Sequence, residues 1–152
     1  EMMIETIDQR REAKEKISAG WFHVWVAFEG MAINKNIIKS TLEDLVSKLE
    51  TDPRAKVYEK EFLEPSLVKN PMKGVEEGWS QAVSLKLAIK TFKDLVQLTI
   101  EYGPSAVEVL EPSKSQLSMS DAQEILNNVA GMMHRFAAAG IGGTVIVSNK
   151  KQ

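Results

Sequence analysis

The chain has 152 residues, 43% of them hydrophobic and 26% charged, with a formal net charge of −2. That length suits one domain built on one core, and the near-neutral balance gives no electrostatic basis for nucleic-acid binding, which draws on a basic excess or a basic face. Cysteine is absent, which excludes disulfides, thiolate metal sites and a cysteine nucleophile, and agrees with a cytoplasmic protein.

Residues 1–20 predict an N-terminal surface helix. Met3, Ile4, Ile7, Ala13 and Ile17 recur at helical spacing among Arg10, Arg11, Glu12, Lys14, Glu15 and Lys16, and Gly20 closes the run. This segment mixes acids and bases and lacks the apolar stretch of a signal peptide. No stretch of the chain approaches the roughly 20 apolar residues of a membrane span, so no membrane association is expected.

Trp21 to Glu29 alternates strictly, with Phe22, Val24, Val26 and Phe28 on one side and Trp21, His23, Trp25 and Ala27 on the other. Aromatic and β-branched residues at period two predict a strand. Asn34 or Asn36 then caps a helix with the apolar stripe Ile37, Ile38, Leu42, Leu45, Val46 and Leu49, closed by Asp52-Pro53. Ala55 to Leu63 is a more polar strand whose central charges suit a sheet edge. Glu64 to Trp79 is expected as a long loop, and its apolar residues favour one that is packed or faces a partner over a disordered one. Gln81 to Lys90 is a third strand, Thr91 to Tyr102 a helix ended by Gly103-Pro104, and Ala106 to Leu110 a short fourth strand. Ser118 or Ser120 caps a final helix with Ile125, Leu126, Val129, Met132, Met133 and Phe136 on one side. Gly140 to Gly143 reads as a hinge, and Thr144 to Val147 has strand character.

Part of the chain nearly repeats. Thr41-Leu42-Glu43-Asp44-Leu45-Val46 returns as Thr91-Phe92-Lys93-Asp94-Leu95-Val96, and Leu63-Glu64-Pro65-Ser66 returns as Leu110-Glu111-Pro112-Ser113. Repetition of both segments in the same order, with a three-residue insertion in the first half, points to two similar halves. With the element order strand, helix, strand, strand, helix, strand, it predicts an α+β domain with a ferredoxin-like βαββαβ sandwich. The expected layout is one domain over 1–152, with the N-terminal helix in 1–20, the core in 21–112, and the C-terminal helix and tail in 113–152.

Candidate chemistry concentrates on the second face of the first strand. Trp21, His23 and Trp25 are costly to leave in water, so a helix, a second subunit or a ligand is expected to cover them. Lys86 and Lys90 on the third strand flank this face, and Met72 and Trp79 in the long loop add contact surface. His23 and His134 are isolated from any triad or zinc spacing, which favours structural roles. Glu59 with Glu61, and Glu108 with Glu111, resemble paired carboxylates but fit a solvated edge better. No catalytic residue, metal or cofactor is predicted. The expectation is a self-associating, non-enzymatic module that binds a small molecule or a protein partner. RNA binding on the aromatic and basic face is the alternative, and a small enzyme using His23 or His134 the third reading.

Overall fold

The structure, a computed structural model, describes residues 2–140, with side chains from residue 7 onward. Its elements in chain order are α1 (Met2–Ser18), β1 (Phe22–Ala32), α2 (Lys35–Glu50), β2 (Ala55–Phe62), β3 (Ser66–Met72), β4 (Val75–Ile89), α3 (Phe92–Tyr102), β5 (Ala106–Glu111) and α4 (Met119–Ala138). The domain is α+β, with four helices among the described residues and a five-stranded antiparallel sheet. The strand order is β2-β4-β1-β5, and β3 pairs with β4. The tetrapeptide Thr144 to Val147 lies outside the described residues.

Alternation along β1 sorts its side chains between two environments. Phe22, Val24, Val26 and Phe28 are buried, whereas His23, Trp25 and Ala27 are only half-buried. The buried set meets Leu85, Leu87 and Ile89 of β4, Val57 of β2, and the faces of α2 and α3 that carry Ile38, Leu42, Val46, Leu95 and Leu98. All of these pack on one side of the sheet, where apolar area removed from water is the main stabilising term.

β4 runs for 15 residues and organises the sheet. Its Trp79–Ile89 stretch pairs with β1 along one edge. On the other edge β2 pairs with Val83–Ile89 and β3 with Val75–Ser80, so β2 and β3 form one broken strand. The break falls at Pro65, whose missing N–H cannot contribute to a ladder. Leu63 N–H bonds the Ala82 carbonyl at 2.9 Å and the Gln81 amide donates to the Leu63 carbonyl at 2.9 Å, which together bridge the gap. The expected long loop over 64–79 is therefore mostly a hairpin. Its turn is Lys73-Gly74, where Gly74 takes a positive φ of 85° that a side chain would strain. The charges Glu76 and Glu77 and the glycine at 78 hid this strand from an alternation count.

The two copies of the sequence repeat occupy different places. Asn34, not Thr41, caps α2, its side chain accepting from the Asn36 and Ile37 amides. Thr41 lies inside that helix and donates to the Ile37 carbonyl at 2.8 Å. Thr91 does cap α3, accepting from the Asp94 amide at 3.0 Å. Val46 is buried in α2, but in α3 the buried residue is Leu95, the counterpart of Leu45. The matching letters thus meet the core one residue out of step.

The last helix packs beside α3. Its cap is Ser118, accepting from the Asp121 amide at 3.0 Å. Lys93 reaches Glu124 at 2.9 Å, and Asn128 donates to Gln97 at 3.0 Å. Ile125, Val129 and Met132 are half-buried there, while Leu126, Met133 and Phe136 are exposed. The helix that lies over the second face of the sheet is α1.

Candidate functional site

The placement of α1 begins with its C-terminus. Gly20 adopts φ 108°, the Trp21 N–H bonds the Lys16 carbonyl at 2.9 Å, and the Gly20 N–H bonds the Ile17 carbonyl at 3.0 Å. This pair of bonds is a Schellman ending, in which glycine accepts the left-handed conformation at no side-chain cost. The chain turns back directly into β1, so α1 lies on the face opposite α2. Ala13 is buried against the sheet, and Glu12 bonds Lys56 of β2 at 2.7 Å, which lowers the Glu12 carboxyl below its usual range. Lys16 sits 4.6 Å from the centre of the Trp21 ring.

Between α1 and the sheet lies a cleft of about 580 Å³, within the range of small-molecule sites. Its helix wall includes Ile7, Arg10, Arg11, Lys14 and Ile17, and its floor is His23, Tyr58 and Glu111. Two irregularities of the sheet assemble that floor. In β2 the register slips between Val57 and Glu59, leaving Tyr58 as an extra residue, so Tyr58 and Glu59 can both serve the second face. In β5 the register slips opposite His23 and Val24, leaving Leu110 extra and setting Glu111 against His23. A bulge re-aims a side chain at the cost of ladder pairing, and such bulges concentrate beside functional sites.

His23 receives both re-aimed groups. Its Nε2 lies 2.5 Å from the Tyr58 hydroxyl and its Nδ1 lies 3.4 Å from Glu111 Oε1. Across the sheet, Lys56 and His23 flank Ala88 of β4. Ala88, on the strand between them, carries only a methyl group and is fully buried. A carboxylate only accepts, so with a neutral ring Nδ1–H donates to Glu111 and the phenol donates to Nε2. Burial raises the Tyr58 pKa, helped by the nearby Glu59 charge, so the phenol keeps its proton. Arg10 braces the ring from above, its guanidinium 5.6 Å from the ring centre and 3.2 Å from Glu59.

The other residues singled out in the sequence divide between this face and distant places. Trp25 is half-buried between Lys86 of β4 and Glu108 of β5, two residues along from His23. Lys86 is paired with Glu59 at 3.6 Å, so the aromatic face carries acids as well as bases. Lys90 is exposed where β4 ends, and its N–H bonds the Arg54 carbonyl. Trp79 packs against the core on the opposite side of the sheet, with Lys35 5.2 Å from its ring centre. It pairs with Ala32, nine positions along β1 from His23, or about 30 Å. Met72 is farther still, exposed at the hairpin tip. His134 is exposed on α4. Among the described residues no group of three or more His, Asp or Glu side chains is placed to hold a metal ion.

Alternation in the sequence places His23 on the second face of β1 but gives no sign of its partners Tyr58 and Glu111. Tyr58 lies in a strand whose charges mark it only as an edge, and Glu111 stands beside Glu108 as one of two spaced acids. Both depend on bulges, which alternation does not reveal. Arg11 and Lys14 read as the solvated side of a surface helix, because nothing local says which side of the sheet that helix lies on.

An α+β domain with an open cleft on the second face of its sheet is the class that this fold and site define. The chain belongs to the MJ0538 family, whose model matches residues 23–152. The floor of the cleft lies within the matched residues and α1 before them. No curated protein and no solved structure matches the chain.

Proposed function

We propose that the chain is a non-enzymatic, cytoplasmic binding module with a ferredoxin-like core, and that the cleft between α1 and the sheet is its small-molecule site. The strand order β5-β1-β4-β2 supports the fold reading, since it places the first and third core strands side by side in the centre. The observation that carries the functional reading is the convergence of two bulges on His23, because regular ladder pairing is given up on β5, beside β1, and on β2, one strand beyond β4, where Glu111 and Tyr58 meet one imidazole. Exposed Leu126, Met133 and Phe136 on α4 support self-association through that helix. A fragment screen read by backbone amide shifts is expected to place its hits on His23, Tyr58 and residues 10–18. Hits confined to α4 or to the β3–β4 hairpin would sink the assignment. Light scattering is expected to give more than one chain per particle, and Leu126→Glu with Phe136→Glu to reduce it to one.

A second reading has its own observation. Glu111, His23 and Tyr58 form a carboxylate–imidazole–hydroxyl chain, the arrangement that moves protons in acid–base catalysis. A catalytic role predicts hydrolysis of an activated ester such as p-nitrophenyl acetate, slowed strongly in His23→Gln. Equal rates in the two proteins would exclude it.

A further inference from the structure

We propose that the cleft takes a small organic oxyanion, with its acidic head held by Arg11 and Lys14 and its apolar body along Ile7 or Ile17. The inference rests on the cleft being a binding site and adds the chemical class of its ligand.

The first ground is how α1 distributes its charges. The helix carries four acids and four bases, but its cleft-lining side chains among the described residues are Ile7, Arg10, Arg11, Lys14, Ile17 and Ser18, three cations and no acid. Their spacing makes one stripe along the helix. Asp8, Glu12 and Glu15 lie off that stripe.

The second ground is which cations are free to act. Arg10 is committed to Glu59 and to the Tyr58 ring. Arg11 meets Asp8 at 3.5 Å with side chains 68% and 63% exposed, a surface pair of the kind that exchanges readily with another anion. Lys14 makes no ion pair among the described residues. Two cations one helical turn apart are therefore available to a carboxylate or a phosphate.

The third ground is the floor. Glu111 is the one acid lining the cleft among the described residues, and it is engaged at His23 Nδ1 while its side chain stays 65% exposed. An incoming oxyanion can take its place on the imidazole without any buried charge being left alone. Ile7 and Ile17, about 15 Å apart along the helix axis, give the ligand's body an apolar wall on either side of the charged segment.

The test uses amide-shift titrations of the whole chain with sodium hexanoate, hexyl phosphate and hexylammonium chloride at fixed ionic strength. The two anions are expected to shift residues 10–18, His23 and Tyr58, and the amine to leave them in place. Tighter hexanoate identifies a carboxylate head and tighter hexyl phosphate a phosphate. Arg11→Gln with Lys14→Gln is expected to weaken the better anion about tenfold or more, with unchanged shifts outside the cleft as the control for folding. Glu111→Gln is expected to tighten it. Hexylammonium binding in the cleft as well as the anions, or the double variant binding them unchanged, would overturn the oxyanion class while leaving the cleft a binding site. If none of the three shifts any cleft residue, the binding reading itself fails.

Discussion

The two faces of the sheet are made by the same strands and solve opposite problems. On the α2/α3 face every second residue of β1 meets apolar neighbours, and the main ionic cluster beside it is closed. Asp52, in the turn before β2, bonds Arg54 at 2.6 Å, Arg54 also reaches Glu101 at 2.9 Å, and the Tyr102 hydroxyl donates to Asp52 at 3.3 Å. On the α1 face the polar groups are only partly matched, leaving Lys14 without an ion pair among the described residues and Arg11 loosely held. A polar cluster whose partners are all internal ties α2, β2 and α3 together. One with unspent donors beside a cavity is available to something outside the chain.

That contrast makes graded predictions. The largest effect belongs to the packed face: Leu85→Ala, at a residue 1% exposed, is expected to cost about 2–5 kcal/mol in urea unfolding. A loss under about 1 kcal/mol would mean that the core is looser than the structure shows.

Acid should loosen the closed cluster next. Hydrogen bonds from the Arg54 side chain hold the Asp52 carboxyl at about 2, against an ordinary 3.8. The folded value lies below the unfolded one, so this stability is complete above about pH 4 and is lost as pH falls through 2, up to about 2 kcal/mol. In Asp52→Asn that part of the acid sensitivity should vanish from the pH dependence of the melting temperature.

The two repeat copies sharpen the comparison at a smaller scale. Thr91→Ala removes a helix cap and is expected to cost about 1 kcal/mol, whereas Thr41→Ala, inside α2, is expected to change stability by less than about 0.5 kcal/mol. Equal losses in the two variants would show that the copies are equivalent after all.

The smallest expected effect on stability is on the cleft face. Tyr58→Phe removes one hydrogen bond and is expected to cost about 1 kcal/mol or less. The ring-nitrogen resonances of His23 should nevertheless move clearly, because Nε2 loses its donor. Unmoved resonances would show that the phenol and imidazole do not meet in solution.

Much of the architecture was legible in the chain. Strict alternation exposed β1, the Gly103-Pro104 stop ended α3, and the pair Ser118 and Ser120 marked the start of α4, because local conformational preferences act there without opposition. The hairpin over 66–79 was not legible, since Pro65 interrupts an edge strand whose pairing is supplied by the distant β4. Strand alternation put His23 on one face with Trp21 and Trp25, though as a histidine it pointed to a structural role. Tyr58 and Glu111 gave no such signal, since their directions are set by how strands slip against one another. The side of the sheet taken by α1 follows from the turn at Gly20, a three-dimensional consequence of one backbone angle.

That turn also bears on how the cleft comes into being. Lys14 and His23 are nine residues apart, so the roof and the imidazole beneath it meet through a short closure. Tyr58 must come from 35 residues away and Glu111 from 88, and longer closures carry a greater entropy penalty, though one that grows only with the logarithm of length. The pairing of α1 with the start of β1 is thus the inexpensive local event in assembling the cleft. Its polar floor waits for the whole sheet.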